Sequence, residues 1–200
     1  ATENLMAAAC LAKGVTTIRN AAREPEIVDQ QNFLVRMGAQ IRGAGTDTIR
    51  VSGVEELTST TYPVMPDRIQ TGTFMLAAAA TLGDVTITDI VPEHVDSLTA
   101  KLIEVGAAVI VSEDSVRVAM GDRPNPTSAK SMPYPGFPTD LQAPFVALLT
   151  TAKGTSIVTE NVFNSRFRYV DELARMGAQI GVDGRTAVIR GVPRLTGARL

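Results

Sequence analysis

The sequence predicts a mixed α/β protein made of three similar units, and repeated glycines carry this prediction. A Gly-Ala pair begins at positions 38, 106 and 177, so the units recur about every 70 residues. A glycine precedes a β-rich run at positions 14, 83 and 154, and another closes each unit at positions 53, 121 and 191. Each unit combines helices, a strand and a hairpin, which indicates a repeated α/β architecture.

The first part of each unit is an Ala-rich helix followed by a strand. The helix is predicted to open at a threonine, which is Thr2, Thr71 or Thr139 in the three units. A glycine ends the helix, because glycine adopts the left-handed conformation of a helix end without strain. The β-branched residues after that glycine predict the strand.

The second part of each unit is an amphipathic helix and a hairpin. The helix ends at Gly38, Gly106 or Gly177. The hairpin strands are predicted at residues 40–42 and 48–51 in the first unit, and at 109–111 and 115–118 in the second. The core face of the middle helix follows from helical spacing of its apolar residues, namely Val95, Leu98, Leu102 and Val105.

Arg166 breaks this pattern in the third unit. Counting back from the Gly-Ala pair, the equivalent residues of the other units are Ile27 and Val95. An arginine at such a position requires an anionic partner or a path to solvent. Two interpretations stay open: a snorkelling side chain at a helix start, and an arginine of an active site.

Asp140 is the candidate acid–base residue. It stands in the stretch FPTDLQA at 137–143, where a loop with five prolines meets an apolar helix. Thr139 is predicted to cap that helix, and Asp140 would lie beside the positive end of its dipole. Pro144 implies that the helix either kinks there or starts later. Asp140 is therefore either a helix-start acid or a proton acceptor held by a stiff loop.

Composition excludes several classes of protein. The net charge is −2 with scattered positive residues, which argues against a nucleic-acid surface. The single cysteine, Cys10, excludes an internal disulfide framework and fits a reducing, cytoplasmic setting. His94 has no nearby ligand set, so no metal site is expected. The longest apolar run, 74–82, is too short to span a membrane.

Four ordered stretches resemble the bacterial UDP-N-acetylglucosamine enolpyruvyl transferases. They are RNAAREPEIVD at 19–29, PDRIQTGTF at 66–74, FPTDLQA at 137–143 and VFNSRF at 162–167. The resemblance covers essentially the whole chain. It implies a fold of the inside-out α/β barrel type, with six repeats in two domains, of which three are present here.

The resemblance also implies a domain assignment. Residues 1–65 would be the last repeat of the first domain, and residues 66–200 two repeats of the second. The chain begins in a helical pattern without an initiator Met and stops without a closing element, so we expect a piece of a longer protein.

The implied reaction transfers the enolpyruvyl group of phosphoenolpyruvate to the 3′-hydroxyl of UDP-N-acetylglucosamine, without a cofactor. This is the first committed step of peptidoglycan synthesis. Asp140 matches the family's likely general base, Val162 a position whose backbone contacts the sugar nucleotide, and Arg166 a nearby arginine.

The resemblance further implies that Asp67, Arg68, Glu24 and Glu26 match charged positions of the cleft where the domains meet. For Glu24 and Glu26, a helix-start acid pair is an equal alternative. The family's catalytic cysteine would precede Ala1, and Cys10 is instead expected to be a small buried apolar residue. Phosphoenolpyruvate carries about three negative charges and requires a cationic clamp that this chain largely lacks. We therefore expect the chain alone to be inactive.

Two alternatives stay open. The first is the sister enolpyruvyl transferase of the shikimate pathway, which shares the fold. The second is a non-catalytic α/β repeat scaffold that binds a partner. Binding of UDP-N-acetylglucosamine would separate the scaffold from the enzyme.

Overall fold

A computed structural model describes residues 1–199, and the chain divides into two compact units, Ala1–Met65 and Pro66–Leu200. The first unit holds one repeat and the second unit holds two. The assignment of these units to the domains of a larger protein stays a prediction.

The first repeat alternates helices and strands as the sequence predicts. Its elements are helix α1 (Thr2–Ala9), strand β1 (Val15–Arg19), helix α2 (Pro25–Arg36) and strands β2 (Gln40–Arg42) and β3 (Thr48–Ser52).

The second repeat has the same order, with a 3-10 helix ahead of its second α-helix. Its elements are helix α3 (Arg68–Ala80), strand β4 (Asp84–Ile87), the 3-10 helix Pro92–Val95, helix α4 (Asp96–Glu104) and strands β5 (Ala108–Val111) and β6 (Val116–Ala119).

The third repeat adds a strand from the proline-rich loop. Its elements are strand β7 (Ser128–Lys130), the 3-10 helix Thr139–Leu141, helix α5 (Gln142–Leu149), strand β8 (Thr155–Thr159), helix α6 (Val170–Arg175) and strands β9 (Gln179–Asp183) and β10 (Thr186–Arg190).

Each repeat forms a sheet in which its last strand lies in the middle. The strand orders are β1-β3-β2, β4-β6-β5 and β7-β8-β10-β9. All pairs are antiparallel except β7 with β8. The two predicted hairpins are confirmed, with their bounds shifted by at most one residue.

The repeated Gly-Ala pair has one physical cause, which is the way the second helix of each repeat ends. Gly38, Gly106 and Gly177 have φ angles of 104°, 100° and 91°, the left-handed region that favours glycine. The alanine that follows donates its N–H back to the helix, from Ala39 to the carbonyl of Leu34 at 3.0 Å in the first repeat. The left-handed glycine and the hydrogen bond after it satisfy carbonyls that the helix end would otherwise leave unpaired.

The two repeats of the second unit share one hydrophobic core. Leu98, Leu102, Phe145 and Leu149 are all fully buried there. Helix α3 packs against α5 and against the 3-10 helix before it. Gly72 allows this close contact, because a Cβ atom at that position would lie only 2.3 Å from Leu141 Cδ1. This packing fixes the 3-10 helix that carries Asp140.

Two of the three predicted helix starts are wrong. Helix α1 does begin at Thr2, but α3 begins at Arg68, three residues before Thr71. Asp67 caps α3 instead, since its Oδ1 accepts the N–H groups of Ile69 and Gln70 at 2.7 and 3.2 Å. Asp wins over Thr because a carboxylate is the stronger acceptor at the positive end of a helix.

The third helix start is also later than predicted. Helix α5 begins at Gln142, and Thr139 lies in the preceding 3-10 helix without capping α5. Pro144 then falls in the first turn of α5, where the missing N–H costs no hydrogen bond. Of the two readings of Pro144, the later start is therefore correct.

The glycines that close the repeats give a matched test of packing. A Cβ atom at Gly191 would lie 1.8 Å from the carbonyl oxygen of Ala152, whereas one at Gly121 would meet nothing within 4 Å. We expect Gly191→Ala to lower the free energy of unfolding of the full-length protein by at least about 2 kcal/mol, because rigid backbone must move. Gly121→Ala should change it by less than about 0.5 kcal/mol. Urea unfolding of both variants measures this, and equal stabilities would contradict the close approach.

Candidate active site

Asp140 lies in the middle of the 3-10 helix Thr139–Leu141, directly before α5. Its side chain is 52% exposed, and its Oδ1 accepts a hydrogen bond from Arg166 Nη2 at 2.5 Å. The carboxylate is thus neither buried nor turned against its own backbone. It can meet a ligand while one of its oxygens is held by the guanidinium.

The loop before Asp140 is fixed mainly by pairing with β8. Strand β7 runs parallel to β8, and Ser131 continues this pairing by donating its N–H to the carbonyl of Thr159 at 2.9 Å. Phe137 is buried, with its ring 5.1 Å from that of Phe145. The predicted rigidity therefore comes from sheet pairing and aromatic packing as well as from proline.

Arg166 lies in the irregular segment 160–169, ahead of helix α6 and not on it. Its Cζ atom is 5.0 Å from the centroid of the Phe163 ring, and its side chain is 33% exposed. The nearby Phe167 and Val170 are buried, as Ile27 and Val95 are in the other repeats. Arg166 is therefore not at the start of a helix, and Asp140 is its anionic partner.

Glu160 joins the segment of Arg166 to the 3-10 helix of Asp140. Its side chain lies at the end of β8 and is only 1% exposed. Its Oε1 accepts the N–H groups of Val162 and Phe163 at 2.7 and 3.0 Å, and its Oε2 accepts the hydroxyl of Thr139 at 2.8 Å. Thr139 thus donates its hydroxyl to this carboxylate, and it does not cap α5 because that helix begins three residues later, with Leu141 in the N-cap position.

The hydrogen bonds of Glu160 keep its carboxylate charged although it is buried. Burial by itself raises the pKa of Glu160, but hydrogen bonds from the Phe163 N–H, Ser131, Thr139 and the Val162 N–H outweigh burial and lower it. Several donors around one carboxylate favour its ionised form in this way.

Tyr169 and Gln142 form a second, partly buried hydrogen bond beside this network. The Tyr169 hydroxyl donates to Gln142 Oε1 at 2.9 Å. Burial, and then the charge on Glu160, raise the pKa of Tyr169 well above its usual range. The phenol therefore stays protonated and serves as a donor. Gln142 is fully buried, and its Nε2 has no hydrogen-bond partner within residues 1–199.

Asp67 and Arg68 lie at the start of α3, in the same unit as Asp140. Asp67 is exposed and caps the helix, as described above. Arg68 is 8% exposed, and its Cζ atom is 5.7 Å from the centroid of the Tyr134 ring. Helix α3 contacts the 3-10 helix of Asp140, so both charges belong to the same region of this unit.

Glu24 and Glu26 lie at the start of α2 in the first unit. Glu24 is the N-cap residue but its side chain makes no capping hydrogen bond, and Glu26 is in the first turn. The Oε2 atom of Glu24 is buried and lacks a hydrogen-bond partner in the described part of the chain. These positions fit the helix-start reading, and their role toward a substrate stays a prediction.

Cys10 has the environment expected of a small apolar residue. It is fully buried, its Sγ donates to the carbonyl of Met6 at 3.3 Å, and burial raises the pKa of its thiol. Over residues 1–199, no three His, Cys, Asp or Glu side chains are placed to hold a metal ion. In the same range no helix is long and apolar enough to cross a membrane.

Sequence reasoning missed Glu160, Tyr169 and Gln142. Glu160 had one signal, since it stands six residues after Gly154 where the other repeats have Asn20 and Asp89, both polar. That signal shows a polar strand end but not a buried carboxylate. Tyr169 and Gln142 are far apart in sequence, and no spacing rule links them.

Comparison with known proteins agrees with this architecture. The family model of EPSP synthase (3-phosphoshikimate 1-carboxyvinyltransferase) matches residues 1–200. Curated relatives include UDP-N-acetylglucosamine 1-carboxyvinyltransferases from Carboxydothermus hydrogenoformans and Clostridium botulinum. Both are 57% identical over 198 residues, which is 99% of this chain and 47% and 48% of the two relatives. The chain therefore spans about half the length of the curated relatives it matches.

A solved structure confirms the predicted fold class of repeated mixed α/β units of the enolpyruvyl-transferase type. The enolpyruvyl transferase NikO from Streptomyces tendae matches with a TM-score of 0.75 at 25% identity, over 92% of this chain and 44% of that chain. The resemblance inferred from the four sequence stretches is confirmed by the curated relatives. By the family model that covers its whole length, the chain belongs to the EPSP synthase (3-phosphoshikimate 1-carboxyvinyltransferase) family.

Proposed function

We propose that the full-length protein transfers the enolpyruvyl group of phosphoenolpyruvate to the 3′-hydroxyl of UDP-N-acetylglucosamine in the cytoplasm, the first committed step of peptidoglycan synthesis. The observation that carries this proposal is the half-exposed Asp140 carboxylate held by Arg166. Relatives 57% identical to the chain bear the name UDP-N-acetylglucosamine 1-carboxyvinyltransferase, which supports this acceptor.

In the proposed mechanism Asp140 is the general base. The carboxylate oxygen of Asp140 that Arg166 does not hold accepts the proton of the 3′-hydroxyl, while the hydroxyl oxygen attacks C2 of phosphoenolpyruvate. C3 of phosphoenolpyruvate takes up a proton during this attack, from an acid in the part of the full-length protein that this chain does not span, and a tetrahedral intermediate forms. Loss of a C3 proton together with phosphate then restores the double bond and leaves the enolpyruvyl ether. Arg166 orients the base, because a charge-assisted hydrogen bond at 2.5 Å fixes one of its two oxygens.

Val162 contributes through its backbone. Its N–H is bound to Glu160 Oε1 at 2.7 Å, so its carbonyl is the group left to contact the sugar nucleotide. Asp67, Arg68, Glu24 and Glu26 are kept as substrate-binding residues on the resemblance. The strongly anionic phosphoenolpyruvate requires cations that the missing half of the relatives' length would supply, so the chain alone should not turn over.

The acceptor is tested by offering the full-length protein two substrates. We expect release of inorganic phosphate from phosphoenolpyruvate with UDP-N-acetylglucosamine and none above background with 3-phosphoshikimate. Calorimetry should show binding of UDP-N-acetylglucosamine. Turnover with 3-phosphoshikimate would favour the sister enzyme, and a protein that binds neither acceptor would favour a scaffold.

Asp140→Asn tests the base. We expect kcat of the full-length enzyme to fall about 10²–10⁴-fold, since the amide cannot accept the proton. The melting temperature should shift by no more than about 4 °C, because an exposed ion pair contributes about 1 kcal/mol or less.

Asp84→Asn is the matched control for this variant. Asp84 is 51% exposed and pairs with Arg117 through two hydrogen bonds of 2.7 and 2.5 Å in the same unit, so this variant loses an ion pair at least as strong. It should leave kcat unchanged. Equal turnover of Asp140→Asn and the parent would remove Asp140 from the mechanism.

Arg166→Met tests the partner of the base. We expect kcat to fall roughly tenfold to hundredfold, because a carboxylate that loses its guanidinium is misplaced toward the hydroxyl. Arg117→Met removes the partner of Asp84 and is the control, with unchanged kcat. If Arg166→Met raises the melting temperature and leaves kcat unchanged, Arg166 is only an unfavourable residue at a position that is apolar in the other repeats.

A further inference from the structure

We propose that Glu160 is a positioning residue for the reaction, which holds the Asp140–Arg166 pair together through the two segments that carry it. This inference rests on the proposed function, in which Asp140 is the base and Arg166 its partner. Nothing in the resemblance or the comparisons assigns a role to Glu160.

The first argument is the connection that Glu160 makes. Its Oε2 binds the hydroxyl of Thr139, the residue before Asp140, at 2.8 Å. Its Oε1 binds the N–H of Phe163 at 3.0 Å, and the Phe163 ring lies 5.0 Å from the guanidinium carbon of Arg166. One buried carboxylate therefore binds both the residue before Asp140 and the backbone of the residue whose ring contacts Arg166.

The second argument is that the fold itself does not require a carboxylate here. Asn20 and Asp89 occupy the equivalent positions of the other repeats, and both side chains are exposed. Both also adopt left-handed backbone angles, with φ of 52° and 56°. The equivalent positions of the other repeats therefore follow a strand without burying an acid. The buried acid is found in the repeat that holds Asp140 and Arg166.

The third argument is energetic. Burying a charge costs free energy unless hydrogen bonds compensate it, so a carboxylate that is 1% exposed is held in one geometry by its donors. The Asp140–Arg166 pair is partly exposed, and such pairs gain little free energy by themselves. The buried Glu160 carboxylate and its hydrogen bonds therefore keep the Asp140–Arg166 ion pair aligned.

The test is a double-mutant cycle in the full-length enzyme. Glu160→Leu keeps the approximate size but removes both acceptor oxygens, and we expect kcat to fall at least about tenfold, since the base shifts relative to the hydroxyl. In an Asp140→Asn background the same change should lower kcat by less than about twofold, because there is no base left to position. Glu160→Gln retains one acceptor oxygen and should recover most of the loss.

Val158→Ala controls for general destabilisation. Val158 is buried on the same strand, two residues before Glu160, and makes none of these side-chain hydrogen bonds. It should lower the melting temperature while leaving kcat unchanged. A loss of kcat in Glu160→Leu no larger than in Val158→Ala, or one that persists in the Asp140→Asn background, overturns the proposal.

A signal independent of turnover separates this proposal from the proposed function. In the parent, the guanidinium NMR signals of Arg166 should report the ion pair, and Asp140→Asn should shift them. Glu160→Leu should shift them in the same direction, and Val158→Ala should not. If the parent transfers no enolpyruvyl group, the proposed function fails while these signals still decide whether Glu160 positions the pair. Unchanged Arg166 signals in Glu160→Leu overturn the positioning role.

Discussion

The hydrogen bonds of the buried Glu160 carboxylate are the interaction on which the candidate site depends. A charge removed from water must be surrounded by donors, and here the donors come from two separate segments. The Thr139 hydroxyl and the Val162 and Phe163 N–H groups all donate to the Glu160 carboxylate. The 3-10 helix of Thr139 and the irregular segment of Val162 and Phe163 thereby bind the same carboxylate. The ion pair between Asp140 and Arg166 joins the same two segments.

Much of the repeat architecture could be predicted because its causes are local. Gly38, Gly106 and Gly177 recur since each helix must turn through a left-handed residue, and that demand is visible in a few residues of sequence. The hairpins follow from alternation and from turn residues within about ten positions. Arg166 could be singled out for the same reason, since the repeats supply an internal standard from which it departs.

The rest of the site is non-local and could not be predicted. Thr139 is a residue type that favours an N-cap, but α5 begins three residues later and the Thr139 hydroxyl donates to a carboxylate 21 residues away. Strand β7 was expected to be loop, because its three residues become a strand only by pairing with β8. Glu160 looks like an ordinary polar residue after a strand. Only the fold decides that it is buried.

Ion-pair geometry alone does not distinguish a functional pair from a structural one in this protein. Asp84 and Arg117 are as close as Asp140 and Arg166, and all four side chains are between 33% and 52% exposed. The first pair, however, joins strands β4 and β6 of one sheet, where regular backbone pairing already fixes both residues. The second joins the 3-10 helix Thr139–Leu141, which packs against α3, to the irregular segment 160–169, and the buried Glu160 carboxylate binds both. An exposed ion pair of this kind contributes little free energy by itself, so the buried carboxylate that binds both of its segments supports the proposed positioning role of Glu160.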